Sequence, residues 1–410
     1  MKKAYERLIK YSRVSTASVD DVETSPTSEQ QFDLAKLLVE ELKGLGVEDA
    51  EVSDTCYVYG HLPATPGHEA APCLGFIAHM DTSPDFSGEG VSPRLIENYD
   101  GGDVELGHGR ALKVENFPHL PSLAGRTLIV AGGDTLLGAD DKAGIAEIMT
   151  LLEQLISTGT PHGRIAVCFT PDEEVGRGTA AFDIPRFGAD FAYTVDGGPE
   201  GEIVCENFNA CSASIDIRGF NVHPGSAKNV MVNAALVASE LNSLLPAMET
   251  PRNTEGYEGF YHLLGVAGSC ERAEARYIIR DHDSAKFEMR KETLLHAADC
   301  LNEKYGKGTV KVTIKDQYRN MAEKIKPAHY HLVENALKAI KAAGLEPLME
   351  PIRGGTDGAL LSWQGLPCPN LGTGGYAFHG PYEHITVEGM DKCVEILKNI
   401  SALYADGIPE

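Results

Sequence analysis

Arg164-Ile165-Ala166-Val167-Cys168-Phe169-Thr170 runs straight into Pro171-Asp172-Glu173-Glu174. An apolar run without polar alternation is what a strand needs when helices cover both faces of its sheet. Neighbouring segments share this grammar. Leu74-Gly75-Phe76-Ile77-Ala78 ends in His79-Met80-Asp81, and Phe191-Ala192-Tyr193-Thr194-Val195 ends in Asp196-Gly197-Gly198. A helix is expected from near Asp141, with Ile145, Ile148, Met149, Leu152 and Leu155 on one face. An earlier helix follows Ser28 and Gln31, which read as a capping box. It carries Leu34, Leu37, Leu38, Leu42 and Leu45 toward a stop at Gly44 and Gly46. The alternation predicts an α/β fold, a mixed, mostly parallel sheet with helices on both faces.

After about Cys211 the pattern changes. Ala213 to Arg218 alternates like a strand with one exposed face. A helix follows from about Val230 to Leu245, then strands at about His262 to Ala267 and Ala273 to Arg280. A helix from about Ser284 to Tyr305 and a strand from Thr309 to Tyr318 complete a βαββαβ order, the ferredoxin-like arrangement. The expected organisation is therefore a discontinuous α/β domain, residues 1–210 and 322–410, interrupted by an inserted domain at 211–321. The α/β pattern resumes with a helix from Pro327 to Gly344, a Gly-rich segment at Gly354-Gly355-Thr356-Asp357, and a last helix from about Val387 to Tyr404.

The composition of the 410 residues narrows the function. A formal charge of −24 argues against nucleic acid or an anionic membrane surface as partner. No uncharged apolar run approaches the ~20 residues of a membrane span. The N-terminal stretch lacks the apolar core of a signal peptide. Nine cysteines without a CxxC pair read as reduced thiols in a cytoplasmic protein. There is no GxSxG elbow, P-loop or HExxH, and no complete dinucleotide fingerprint.

What remains is a series of metal-binding side chains delivered by apolar strands. Ligand sites of open α/β sheets lie outside the carboxyl ends of the strands. In His79-Met80-Asp81, residues i and i+2 point to one side of a strand. His79 as ligand with Asp81 holding its ring fits that spacing; a loop histidine beside an unrelated aspartate fits it too. Asp140-Asp141, after the Gly-rich loop and before a helix, suits either ordinary capping or a carboxylate bridging two cations. Glu173-Glu174 reads as an exposed acidic turn, or as a pair that splits metal binding from proton transfer. Asp196 precedes two glycines, and His379 follows an aromatic-flanked Gly-rich loop.

Taken together, His79-x-Asp81, Gly138-Ala139-Asp140-Asp141-Lys142, Pro171-Asp172-Glu173-Glu174-Val175-Gly176, Asp196-Gly197-Gly198 and the late His379 resemble the M20 family of di-zinc peptidases. Within it, Asn221-Val222-His223-Pro224-Gly225 and Arg353-Gly354-Gly355-Thr356-Asp357-Gly358 are similar to its tripeptide-cleaving aminopeptidases. The resemblance implies two zinc ions per subunit. His79 and Asp196 would hold one, Glu174 and His379 the other, and Asp140 would bridge them through a cis peptide to Asp141. Asp81 would orient His79, and Glu173 would be the general base. His223, Arg280 and Arg353 would bind a small peptide substrate. The inserted domain would serve as lid and as the surface of a homodimer. The same motifs also suit an M20 deacylase or carboxypeptidase acting on N-acyl amino acids. A non-catalytic dimeric relative is the reading from a different class.

Overall fold

Ile165–Thr170 is a strand buried along its whole length. In the computed structural model, which describes residues 2–408, it lies inside a seven-stranded sheet. The strands are β1 (Glu51–Val52), β2 (Val58–Leu62), β3 (Leu74–His79), β4 (Ile165–Thr170), β5 (Phe191–Gly197), β6 (Ile203–Val204) and β7 (Asn370–Gly372), in the order β1-β2-β4-β3-β5-β7-β6. The central four are parallel: β3 pairs with β4 and β5, and β5 with β7. The flanking pairs are antiparallel.

The apolar run has a simple cause. Ile165, Val167 and Phe169 pack into a core with the helices Gln31–Leu45, Ala139–Thr158 and Val387–Leu403, while Ala166 and Cys168 enter a second core with Phe182, Phe187 and Leu361. Neither face of β4 meets water, so no position calls for a polar side chain. Gly75 in β3 has its own reason. A Cβ there would lie 2.6 Å from the Phe187 ring and 2.8 Å from Ala192.

The chain divides into two compact units, Met1–Cys205 with Glu323–Glu350 and Thr356–Glu410, and Glu206–Ala322 with Pro351–Gly355. The second unit holds an antiparallel sheet in the order Phe260–Gly268, Arg272–Asp281, Asn209–Arg218, Val310–Tyr318. The helices Ala234–Leu244 and Ser284–Tyr305 cover one face, around Ile215, Leu241, Phe287 and Leu294. This is the ferredoxin-like strand order.

Three sequence-based expectations are corrected by the structure. Pro351–Gly355, assigned above to the α/β domain, groups with the second unit. Ile352 bridges Asn207, and its carbonyl lies 3.1 Å from His282 Nε2. The helix expected from Pro327 to Gly344 is two helices, Ala322–Ala328 and His331–Ala342. Pro327 lacks an N–H to donate and crowds the preceding turn, and the first helix ends one residue later. The Ser28–Gln31 capping box does not form. The helix starts at Gln31 without a side-chain cap, and Gln31 instead reaches Asp172.

A further element escaped the periodicity. Arg94–Ile96, Leu128–Val130, His384–Thr386 and Gly375–Tyr376 form a small antiparallel sheet. Its strands have two or three residues, too short to show alternation. Two loops leave it toward the carboxyl edge of the main sheet. One runs from Val130 toward Asp140, and the other joins Tyr376 to His384 through His379.

Candidate metal centre

The carboxyl ends of the parallel strands converge. His79 is the last residue of β3 and pairs in register with Thr170, the last of β4. The chain leaves β4 through Pro171 and Asp172 into a single 3-10 turn, Glu173–Val175. Asp196 is the penultimate residue of β5. Asp140 enters from the side at the start of the helix Ala139–Thr158, joined to Asp141 by a cis peptide. His379 arrives on the small sheet's loop with φ of +64°.

These side chains form two linked groups. His79 Nε2 lies 2.9 Å from Asp140 Oδ1 and 3.4 Å from Asp196 Oδ1. His379 Nε2 lies 3.2 Å from Asp140 Oδ2 and 3.0 Å from Glu174 Oε2. Asp140 therefore offers one oxygen to each histidine. Donors held at ~2.0–2.1 Å around a tetrahedral ion stand about 3.3 Å apart, close to the spacings observed. Glu174 Oε1 is buried with no hydrogen-bond partner. The donors of His79, Asp140 and Glu174 all fall within 4.8 Å of one another, as do those of His79, Glu173 and Asp196. The set, imidazole and carboxylate without thiolate, suits zinc or another divalent ion with nitrogen and oxygen preference.

The electrostatics fit a site built for positive charge. Burial opposes a charge on His79, yet Asp196, Asp140 and Asp81 hold its pKa well above the usual histidine value. Asp140 and Glu174 hold His379 up to about 11. Burial pushes Asp196 up to about 7. Burial, then the charges of Asp196 and Asp357, push Glu173 well above the ordinary carboxylate range. A carboxylate so raised has a stronger hold on a proton than an exposed one, which suits a group that takes a proton up and returns it.

Further carboxylates hold the centre in shape. Asp81 is wholly buried and accepts from the N–H groups of Glu173 and Glu174 at 3.0 and 3.1 Å. Its backbone oxygen is 3.1 Å from His79 Nδ1, and its carboxylate 3.4 Å. So Asp81 shapes the Glu173–Glu174 turn as well as the imidazole. Asp172, at φ +58°, accepts from Thr27 N–H (2.9 Å), Thr27 Oγ1 (2.6 Å) and Gln31 Nε2 (2.7 Å). Glu383 accepts from the N–H groups of Leu137, Gly138 and Asp140 at 2.7, 2.8 and 2.8 Å, tying the Asp140 loop to the His379 loop. Asp141 accepts from His79 N–H at 3.1 Å.

Sequence reasoning gave Asp172, Glu383 and Asp141 no positioning part. Their only local signal was an acidic residue beside a proposed ligand or base. The remaining expected site residues lie in the second unit. His223 is exposed, and its Nδ1 accepts from Gly225 N–H at 3.2 Å. Arg280 stacks over Tyr318 and bonds Gln317 at 3.0 Å. Arg353 stacks over Phe208 and donates to the carbonyls of Gly256 and Glu258 and to Thr254 Oγ1.

Residues 137–402 match the model of peptidase family M20/M25/M40. The chain belongs to that family. A peptidase T from Clostridium perfringens is 53% identical over 407 residues, covering 99% of this chain and all of the relative. Among solved structures, an aminopeptidase from Bacillus cereus superposes with a TM-score of 0.80 at 24% identity, covering 98% of both chains. A dinuclear metal-binding M20 peptidase from Bacillus subtilis does so with a TM-score of 0.64 at 15% identity, again over 98% of each chain. Both structures share the fold over nearly the whole chain. No helix among the described residues is long and apolar enough to cross a membrane.

Proposed function

We propose that this peptidase is a tripeptide aminopeptidase that holds two zinc ions and releases the N-terminal residue of its substrate. The observation that carries the two-ion reading is Asp140, whose two oxygens face two different histidines at 2.9 and 3.2 Å. His79 and Asp196 complete one ion's shell, and Glu174 and His379 the other's. The tripeptide reading draws on the full-length similarity to peptidase T. Bound metal ions supply Lewis-acid chemistry, acidifying water and polarising the scissile carbonyl.

The chain's own residues supply the rest. Glu173 takes the proton of the attacking water and passes it to the leaving amine, a role typically worth ~10²–10⁴ in rate. Asp81 keeps Glu173 and Glu174 on one short turn, so base and ligand keep a fixed offset. His223, Arg280 and Arg353 are assigned to substrate binding on the family resemblance. A homodimer through the second unit is supported by its edge strand Phe260–Gly268, where Leu264 and Val266 are 52% and 56% exposed. Nine cysteines with no disulfide among the described residues support a reducing, cytoplasmic setting.

Zinc-loaded protein and leucyl-glycyl-glycine should yield leucine and glycyl-glycine, where a carboxypeptidase would yield leucyl-glycine and glycine. An N-acyl substrate turned over in preference would overturn the aminopeptidase reading. Glu173→Gln should abolish turnover and keep both ions by elemental analysis. Loss of metal in that variant would make Glu173 a ligand and remove it as the base.

A further inference from the structure

An enzyme that cuts beside a free amino terminus needs a group to recognise that ammonium. The buried acids around the metal centre can be sorted by what already occupies them. Asp81, Asp141, Asp172 and Glu383 each accept backbone N–H groups. Asp140, Glu174 and Asp196 face the histidines or each other as ligands, and Glu173 is the base. Glu147, a buried acid without a hydrogen-bond partner, stands seven residues along its helix from Asp140, about 10 Å away.

One acid remains. Asp357 is 3% exposed, and its carboxylate has a single hydrogen bond, from the Thr170 hydroxyl at 3.1 Å. No ion pair among the described residues neutralises it. A carboxylate with one neutral donor keeps its charge here only at a cost, since burial pushes Asp357 up to about 7, and an arriving cation would offset that cost.

Its place is also right. Thr170 ends β4 directly before the Pro171–Glu174 segment and pairs in register with His79. The chain after the Glu173 turn passes close by, and a Cβ on Gly178 would fall 2.2 Å from Asp357 Oδ2. The α-nitrogen of an N-terminal residue is one carbon removed from the scissile carbonyl, so its anion must sit beside the group that activates water. Asp357 acts electrostatically on Glu173 and Asp196.

We propose that Asp357 receives the free α-ammonium of the substrate's N-terminal residue and sets the requirement for an unblocked amino terminus. This rests on the aminopeptidase reading above. The Thr170 hydroxyl orients one carboxylate oxygen and leaves the other for the ammonium.

The test compares trialanine with its des-amino analogue, propionyl-dialanine, on wild-type protein and Asp357→Asn. Wild type should cut trialanine and discriminate against the analogue. Asp357→Asn should lose about 100-fold in kcat/KM on trialanine, the size expected when a buried charge loses its partner. Any loss on the analogue, through the effect of the Asp357 charge on Glu173, should be far smaller than the loss on trialanine, so discrimination collapses while the metal content stays the same. An equal loss on both substrates, or undiminished discrimination, overturns the proposal. Failure of wild type to release N-terminal alanine would instead overturn the aminopeptidase reading. If the variant does not fold, competition on wild-type protein decides. Alanine amide should inhibit at least about tenfold better than propionamide, and equal inhibition refutes the ammonium subsite.

Discussion

Replacing Glu383 by Gln tests whether the metal centre depends on a residue that contacts no metal. The carboxylate is 2% exposed and accepts three backbone N–H groups at 2.7–2.8 Å, Leu137 and Gly138 on Oε2 and Asp140 on Oε1. Glutamine keeps the size but turns one side into a donor. In its better orientation the amide oxygen serves Leu137 and Gly138, and the NH₂ then faces Asp140 N–H. One buried donor goes unmet, costing about 1–3 kcal/mol, and the two remaining bonds lose their charge assistance, about 1 kcal/mol together. The total of about 2–4 kcal/mol falls on the backbone of Asp140 and on the loop carrying His379. If about half is absorbed by loop movement, the rest lowers metal affinity about 10- to 100-fold, the usual range for such supporting residues. Competition with a chelator of known affinity gives that number, and turnover at saturating zinc separates occupancy from geometry. Affinity within about twofold of wild type, with normal turnover, would refute the idea that Glu383 couples the two loops.

Two other perturbations reach the centre's supports. His384 is fully buried, donates from Nδ1 to the Tyr382 carbonyl at 2.7 Å, and accepts at Nε2 from His119 at 2.8 Å. Burial pushes its pKa down to about 4, so the fold keeps it neutral where the unfolded chain protonates it. Its stabilising contribution should be intact above pH ~6.5 and fall by about 3 kcal/mol by pH ~4. Urea unfolding of metal-free protein should show that slope, and His384→Phe should remove it; a slope that persists would reassign it. Asp172→Asn should isolate the charge at a left-handed position that Asn tolerates. It should cost about 1–3 kcal/mol in urea unfolding and lower turnover at saturating metal; wild-type turnover would show that the Thr27–Gln31 contacts do not aim the Glu173 turn.

The proposed ligands stand out in the sequence because each follows an apolar strand or a Gly-rich turn that exposes it. His79, Asp196 and the Glu173–Glu174 pair stand at strand ends, where an apolar run that stops at a polar side chain delivers it to the carboxyl edge of the sheet. Asp172 and Asp357 lie within motifs quoted above, and Glu383 lies shortly after His379, yet none of the three carried a separate signal. Their roles are defined by partners far along the chain. Thr27 donates to Asp172 across 145 residues, and Leu137 to Glu383 across 246. Local periodicity does not contain such pairings. The same limit hid the small sheet, whose strands span little more than one alternation cycle. Ser28 and Gln31 misled for the opposite reason. Their spacing matches a capping box, but Gln31 is drawn to a buried carboxylate with stronger claims on its donor than a helix end has.

The centre thus contains two kinds of carboxylate that sequence cannot tell apart and geometry can. Asp81, Asp141, Asp172 and Glu383 face backbone N–H groups, and those bonds tie separate loops together. Asp140, Glu174 and Asp196 face imidazoles or nothing, and Glu174 keeps one oxygen with no partner at all. The first kind builds a cup from four separate stretches of chain. The second lines it with carboxylates that face the two imidazoles. Glu173 belongs to neither kind. Its backbone is held by Asp81 with its neighbour Glu174, and Asp81 bonds its N–H and leaves its carboxylate alone. A base needs that combination: a fixed anchor, and a carboxylate left free to take up a proton and give it back.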